Sequence, residues 1–219
     1  LPPSSHLAPL APSMLFPWDA SQTSIRYTGG PHGIPWDICG QHSWSQYEGI
    51  DFGMREQEVL AAAGGSIQSF GNDPVVGYYV IVDHGSNWTT HYWHLKSYDS
   101  SLSQGLVVSQ GRLLGVSGNT GSGANGAWHL HVTLRSGGAS STWNGVDIDG
   151  WKVRSDYLTS RTDYGYNYQG TMVKGNESTV TISECGGQAF EHHGSSGTAY
   201  ADVSSGTILY SSNHKNTGG

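Results

Sequence analysis

Two histidines at a spacing that suits a metal site are the most distinctive chemical feature of this chain. His129 and His131 flank Leu130 in a segment of alternating residues, which predicts a β-strand. Side chains at positions i and i+2 of a strand point to the same face, so both imidazoles could converge on one ion. Histidine and carboxylate ligands favour zinc, and a hydrolytic zinc needs about three protein ligands and a water. An isolated H-x-H pattern is more often an ordinary polar strand face, so the metal site needs support from other motifs.

Short strands joined by tight turns are the elements predicted to position these histidines. The chain has 219 residues, 32 of them glycine, and only 12% are charged. No segment has a long 3.6-residue period, which predicts an all-β fold with antiparallel sheets and many loops. The predicted strands are Val59–Ala63, Gly65–Phe70, Gly77–Asp83, Trp88–Leu95, Leu106–Val108, Arg112–Ser117, Trp128–Arg135, Ser178–Ser183, Thr198–Val203 and Thr207–Tyr210.

The domain organisation is expected to be one main unit with two appendages. We predict an irregular N-terminal arm over residues 1–13, a zinc-binding domain over 14–175 and a short β-rich tail over 176–219. The stretch from Met14 to Asp51 is rich in Gly and Pro and is predicted to be mostly loop. Helical turns are expected only at Ser97–Ser103 and Val153–Leu158.

Charge and hydropathy exclude two classes of partner. The net charge is −7 and Lys and Arg do not cluster, which excludes an electrostatic nucleic-acid footprint. The sequence has no apolar run long enough to cross a bilayer. The low share of charged residues favours an extracellular protein, and residues 1–12 lack the basic segment of an intact signal peptide. We therefore expect a secreted mature form whose leader has been removed. Cys39 and Cys185 could form a disulfide or could be two buried free thiols.

Five motifs occur in an order that resembles the M23 peptidase family, which includes lysostaphin-type and beta-lytic enzymes. In sequence letters they are GIDF at 49–52, VIVDH at 80–84 followed by THYWHL at 90–95, GRLLG at 111–115, GNTG at 118–121 and HLH at 129–131. The resemblance covers residues 16–135 and, more weakly, extends to 168. It implies a compact antiparallel β fold with a long open groove whose floor is the sheet. Five ordered motifs are far more specific than any one of them.

The resemblance also implies a ligand set. Most relatives have a histidine four residues before the aspartate, but here that position is Tyr47. The beta-lytic, staphylolysin-type branch takes this ligand from a Gly-Pro-His loop, which Gly30-Pro31-His32 resembles, so His32 is preferred to His42 as the first ligand. By resemblance, His32, Asp51 and His131 bind one Zn²⁺ per chain. His94 and His129 are then the catalytic histidines.

The function implied is that of a secreted zinc endopeptidase that hydrolyses glycine-containing peptidoglycan cross-links. A monomer that binds neither nucleic acid nor membrane is expected. Aromatic side chains can line a groove for extended peptides, and the candidates are Trp44, Tyr47, Tyr92, Trp93 and Trp128. Three alternatives remain open: an inactive peptidoglycan-binding or regulatory module of the same fold, a zinc amidase, and a carbohydrate-binding β protein with a structural metal.

Overall fold

The fold of the described residues is almost entirely β. The structure is a computed structural model of the chain, and it describes residues 11–32, 49–137, 139–140, 146–154, 171–174, 180–183, 189–192 and 208–216. Within these ranges the regular elements are strands, apart from one 3₁₀ turn at Ser122–Ala124. All strand pairs are antiparallel. The predicted all-β antiparallel fold class is therefore confirmed.

The largest sheet of the described residues has ten strands. Its strands are β1 (Arg26–His32), β2 (Gly49–Gly53), β3 (Glu58–Leu60), β4 (Gly65–Asp73), β5 (Gly77–Gly85), β6 (Trp88–Tyr98), β7 (Val107–Val108), β8 (Leu113–Ser117), β9 (Leu130–Ser136) and β10 (Ala139–Ser140). The spatial order is β1-β2-β9-β6-β5-β4-β7, with β10 on β9, β8 on β6 and β3 on β8. The remaining strands are β11 (Asp147–Ile148), β12 (Trp151–Arg154), β13 (Thr171–Lys174), β14 (Val180–Ser183) and β15 (Ala189–His192).

Alternation along the central strands separates a core face from a polar face. On β9, Leu130, Val132 and Leu134 are completely buried in the core. Ile50 and Phe52 of β2 lie directly opposite Val132 and Leu130, so they point to the same side. The intervening residues of both strands, which include the predicted Asp51 and His131, therefore face the other side of the sheet.

The C-terminal residues 208–216 pack against the N-terminal part of the main domain. The side-chain amide of Asn213 donates hydrogen bonds to the carbonyls of Phe16 (3.0 Å) and Ala61 (3.2 Å). The backbone N–H of Lys215 donates to the carboxylate of Asp19 at 2.7 Å. A side chain on Gly111 would lie 2.0 Å from the His214 carbonyl, so this glycine permits the close approach. The described part of the tail is thus integral to the main packing.

Three local expectations were wrong. Gly29-Gly30-Pro31, predicted to be loop, is part of β1, because its backbone pairs with β2. Ser97–Ser103 does not form a helix: its first two residues end β6, and a single turn follows in which the Leu102 N–H donates to the Asp99 carbonyl at 3.2 Å. Val153 lies in β12 because its backbone pairs with β13.

Some expectations fall outside the described residues. Both cysteines lie there, as do residues 155–158. Among the residues that are described, no helix combines the length and the apolar character that a membrane span requires.

Candidate metal centre

The register of three adjacent strands brings the centre of the site together. Asp51 of β2 lies directly opposite His131 of β9, and His131 lies directly opposite Trp93 of β6. The Trp93 ring stacks on the His131 imidazole with 4.8 Å between centroids and 2° between planes. Asp51 and His131 are buried, with 6% and 1% of their surfaces exposed. Two residues 80 positions apart in sequence are therefore held side by side by strand pairing.

The His131 imidazole is held at both nitrogens. Its Nδ1 lies 2.9 Å from Oδ1 of Asp51, and its Nε2 lies 3.1 Å from the Thr133 hydroxyl. A threonine hydroxyl can donate or accept, so it can bond to Nε2 in either tautomer of the ring. When Nε2–H donates to Thr133, the lone pair of Nδ1 is available to a cation beside Asp51. Without a cation the Nδ1–H of His131 donates to the Asp51 carboxylate, which can only accept. Nδ1 is therefore the nitrogen of His131 that a cation beside Asp51 could reach by replacing this proton.

Gly49 provides the space that the His131 ring occupies. A side-chain Cβ at this position would lie 2.0 Å from both Cε1 and Nε2 of His131. The backbone of Gly49 pairs with that of Thr133, the residue whose hydroxyl bonds to the His131 ring. Only glycine leaves this volume empty, so the residue type at position 49 is part of the site.

His129 presents one nitrogen to the same region. Its Nδ1 lies 3.0 Å from the Ala127 carbonyl, which can only accept, so Nδ1 carries the proton and Nε2 has the lone pair. That Nε2 lies 3.8 Å from Oδ1 of Asp51. The ring is only partly buried and can therefore be reached from solvent.

His94 reaches the site through an unusual backbone conformation. Its φ angle of 61° is in the left-handed region, and this interrupts the alternation of β6. Its Nδ1 donates to the Thr120 carbonyl at 3.0 Å, which leaves Nε2 as the acceptor. Burial is the main cause that lowers its pKa to about 3, followed by the nearby His131 and His129. The imidazole is therefore neutral at physiological pH.

Thr120 fixes the loop that holds His94. Its hydroxyl donates to the Leu95 carbonyl at 2.6 Å and accepts the Tyr78 N–H at 2.9 Å. These bonds connect the loop before the 3₁₀ turn to both β6 and β5. The Thr120 carbonyl, which accepts the hydrogen bond from His94, is therefore held in place by two strands of the sheet.

The donor set fits a zinc ion. The ligand atoms of His94, His129 and His131 lie within 4.8 Å of one another, and this is a possible metal-binding group within the described part of the chain. The Asp51 carboxylate adds an oxygen beside two of these rings. Nitrogen and carboxylate donors at such separations suit zinc. The side chain of His32 is not described, but its backbone lies opposite Gly49, two residues from Asp51.

The aromatic candidates for the groove are in different environments. Trp93 lies in the site against His131, and Trp128 is partly buried with the Arg55 guanidinium 5.0 Å above its ring. Tyr92 does not line the groove: it is completely buried in the core, where its hydroxyl accepts the Ala62 N–H at 2.9 Å. Trp44 and Tyr47 lie outside the described residues, as does His42.

Three residues that support the site were not predicted to do so: Thr133, Gly49 and Thr120, although the last two lie in the motifs at 49–52 and 118–121. Alternation along β9 could have indicated Thr133, because it lies two residues after His131 on the same face. Gly49 and Thr120 act through contacts between distant segments. No local pattern in the sequence signals such contacts.

Comparison with known proteins agrees with this geometry. Residues 45–148 match the sequence model of Peptidase family M23. Over 89 residues the chain is 36% identical to the peptidoglycan DD-endopeptidase ShyA of Vibrio cholerae, and the match covers 40% of this chain and 20% of that protein. Over 106 residues it is 29% identical to stage II sporulation protein Q of Bacillus subtilis, with 47% of this chain and 37% of that protein covered. The chain thus matches well under half the length of these relatives.

A solved structure supports the fold over most of the chain. The structure described as a novel M23 metalloprotease, pseudoalterin, from the deep sea has a TM-score of 0.54 and 21% identity, covering 90% of this chain and 98% of that one. The matched family segment contains Asp51, His94, His129 and His131, whereas His32 precedes it. The similarity to Peptidase family M23 is therefore shown for residues 45–148, slightly less than half of the chain.

Proposed function

We propose that this chain is a secreted zinc endopeptidase that hydrolyses peptide bonds in peptidoglycan cross-links. The observation that carries the proposal is the convergence of three histidines and Asp51 on one face of the sheet. The match of residues 45–148 to the model of Peptidase family M23 and the name of the Vibrio cholerae relative support the same reaction and substrate class. A single Zn²⁺ per chain is part of the proposal.

Asp51 and His131 are the proposed ligands within the described residues, and His32 is proposed as the third. The pairing of the His32 backbone with Gly49 supports this choice, because it brings β1 alongside the strand that carries Asp51. When bound, zinc supplies a Lewis acid that polarises the scissile carbonyl and lowers the pKa of water to about 7. The glycine-proline-histidine segment in β1 supports assignment to the beta-lytic branch.

His94 and His129 are the proposed acid–base pair. In each ring the Nδ1–H donates a hydrogen bond to a backbone carbonyl, and Nε2 can accept a proton. Their centroids are 4.8 Å apart, so both can reach the same small reacting group. A neutral imidazole can take a proton at Nε2 from the attacking water and later deliver it to the leaving amine.

The test is to measure zinc content and rate in the same variants. His32→Ala, Asp51→Ala and His131→Ala should each lose zinc and activity. His94→Ala and His129→Ala should retain about one zinc per chain while the rate falls about 10²–10⁴-fold, the usual contribution of acid–base catalysis. The exposed Lys96→Gln variant, on the same strand as His94, is the control and should match wild type in both measurements.

Three outcomes would change the proposal. Loss of zinc in His42→Ala but not in His32→Ala would make His42 the first ligand instead of His32. The proposed reaction would stay the same. Wild type that binds zinc but cleaves neither peptidoglycan nor glycine-rich peptides would point to a non-catalytic wall-binding module. Release of intact stem peptides from the sugar strands would identify an amidase.

The remaining parts of the proposal have their own measurements. Glycine preference is tested by comparing matched peptides in which glycine at the cleaved bond is replaced by alanine. A monomer is expected by light scattering at micromolar concentration. Secretion is tested by locating the protein in fractions of the producing cells.

A further inference from the structure

A single carboxylate closes the turn between β4 and β5. Asp73 ends β4, and its Oδ1 accepts the backbone N–H of Val75 at 2.7 Å and that of Val76 at 3.1 Å. An aspartate that bonds to backbone N–H groups just ahead of it in the chain stabilises a turn. The same bonds, that of Val76 first, hold the pKa of this carboxyl below its usual range, so it is charged at neutral pH. The side chain is exposed, so these bonds rather than burial fix its position.

This turn is joined to the loop that contains the 3₁₀ turn. The Pro74 carbonyl accepts the Ser122 N–H at 2.9 Å. The Val75 carbonyl accepts the Gly123 N–H at 2.8 Å. Both carbonyls belong to the residues that directly follow Asp73, so the conformation that its carboxylate stabilises also decides where they point.

The turn also holds the backbone of His94. Between Tyr92 and Leu95, β6 has one residue more than the facing part of β5. A bulge of this kind re-aims a side chain, and bulges are common next to active sites. His94 lies in this bulge, and its N–H donates to the Val76 carbonyl of the turn at 2.9 Å. The turn therefore supplies the hydrogen bond that accompanies the left-handed φ of His94.

The His94 ring lies against the loop that the turn holds. Its Nδ1 donates to the Thr120 carbonyl at 3.0 Å, and a Cβ on Gly123 would lie 3.3 Å from its Cε1. Loop and turn pack backbone to backbone, since a Cβ on Gly121 would lie only 2.4 Å from the Val75 carbonyl oxygen. A shift of the turn would therefore change both the backbone and the ring contacts of His94.

We propose that Asp73 is a positioning residue for His94: by closing the turn over residues 74–76, it fixes the backbone and the ring orientation of this histidine. This role rests on the proposed peptidase function, in which His94 belongs to the acid–base pair. Misplacing a reacting group by about 1 Å can reduce the rate by about 10²-fold. An exposed carboxylate that never touches the substrate can thus control the rate.

The test separates the geometry of the Asp73 side chain from its charge. Asp73→Asn loses the charge but keeps an oxygen that can accept the two N–H groups. Asp73→Glu keeps the charge but places the carboxylate one methylene further from the backbone, and Asp73→Ala removes both. Asp147→Ala is the matched control, because Asp147 is also exposed and accepts the Gly150 N–H at 2.9 Å in the turn between β11 and β12.

Two measurements are made on each variant in the presence of zinc. Steady-state kinetics on a glycine-rich peptide give kcat and KM. NMR of ¹³C-labelled protein follows the Cε1–H signal of the His94 imidazole, which is identified by its absence in His94→Ala. The second measurement reports ring position and does not depend on activity.

The kcat of Asp73→Ala and Asp73→Glu should fall about 10- to 10²-fold, while KM stays within about two-fold of wild type. The His94 signal should shift in both variants. Asp73→Asn should restore the position of the signal and keep kcat within about three-fold of wild type, because asparagine closes the same kind of turn. Asp147→Ala should match wild type in both measurements.

A double-mutant cycle with His94→Ala tests whether the effect passes through His94. In that background Asp73→Ala should change the remaining rate by less than about two-fold, because the ring that it would displace is absent. An equal fall in kcat with and without His94 would show that Asp73 acts on another part of the protein, and this would overturn the positioning role.

Failure of the positioning role and failure of the peptidase function give different results. Wild-type kcat and an unmoved His94 signal in Asp73→Ala would overturn the positioning role while the peptidase function stands. Loss of rate in Asp73→Asn but not in Asp73→Glu would also overturn it, since charge rather than turn geometry would then matter. If wild type cleaves no peptide, the peptidase function fails, and the His94 signal still decides whether Asp73 orients the ring. If Asp73→Ala does not fold, the comparison of Asp73→Glu with Asp73→Asn decides the question.

Discussion

Replacing Gly49 with alanine should displace the proposed ligand His131. The new Cβ would lie 2.0 Å from Cε1 and Nε2 of the imidazole, whereas ordinary contact begins at 3.4 Å. The ring must therefore retreat by about 1.4 Å, and the stacked Trp93 ring blocks movement across its plane toward β6. A shift of this size breaks the bond to Thr133, which is only 3.1 Å long before the change. The substitution thus acts on ring position without removing any ligand.

The expected loss is large in both zinc affinity and rate. Disturbing a group that orients a metal ligand costs about 10- to 100-fold in metal affinity. Misplacing a reacting group by about 1 Å can reduce the rate by about 10²-fold. Zinc affinity is measured by competition with a chromogenic chelator, and the rate is measured on zinc-saturated protein with a glycine-rich peptide.

A matched glycine substitution separates this effect from a general cost of alanine. Gly64 lies just before β4, and a Cβ there would be 3.5 Å from the nearest atom, within ordinary contact. Gly64→Ala should therefore match wild type in zinc affinity and rate. If Gly49→Ala also keeps wild-type zinc affinity and rate, His131 is not held where the structure places it, and the assignment of its Nδ1 as a ligand atom is refuted.

Three further predictions address the support of the site and the fold. Thr133→Val removes the hydroxyl at Nε2 of His131 with little change in volume, so zinc affinity by chelator competition should fall about 10- to 100-fold; unchanged affinity would contradict this role. Asn213→Ala removes the two buried hydrogen bonds from its side-chain amide to the Phe16 and Ala61 carbonyls and should reduce the free energy of unfolding in urea by about 1–3 kcal/mol. The exposed His214→Ala should have little effect. Burial lowers the folded-state pKa of His91 to about 3, so the unfolded chain binds the extra proton as pH falls below the ordinary value of 6.5. In chelator-treated protein the free energy of unfolding should therefore fall by about 1.4 kcal/mol for each pH unit below 6.5. In His91→Gln this free energy should fall less steeply with pH than in wild type.

The strands of the main sheet were the part of the fold that could be predicted best. Gly77–Gly85 and Trp88–Tyr98 are rich in β-branched and aromatic residues and form the expected hairpin across the turn at 85–88. β1 was missed because Gly29-Gly30-Pro31 has the composition of a turn. Its strand geometry comes from backbone pairing with β2, a tertiary interaction that outweighs local propensity.

The alternation of side chains along β6 explains why Tyr92 does not line the groove. Strict alternation would place Tyr92 and His94 on one face, and Tyr92 is indeed in the core. His94 nevertheless reaches the metal centre, because its left-handed φ interrupts the alternation. A backbone conformation of this kind in a non-glycine residue is not visible in the sequence. Trp93, between the two, faces the site and contacts His131.

The spacing of His129 and His131 indicated that the two side chains share one face of β9, but the orientation of each ring depends on partners elsewhere. His129 and His94 each have Nδ1 bonded to a backbone carbonyl, that of Ala127 and that of Thr120, and Nε2 is available to the shared centre. His131 is bonded at both nitrogens, with Nε2 at the Thr133 hydroxyl and Nδ1 at the Asp51 carboxylate. The orientation is thus set by the sheet and its loops before any cation arrives, which reduces the reorganisation that binding requires. This is also why neighbours that never touch the metal, Thr133 and Gly49 above all, are expected to influence zinc affinity nearly as strongly as the ligands.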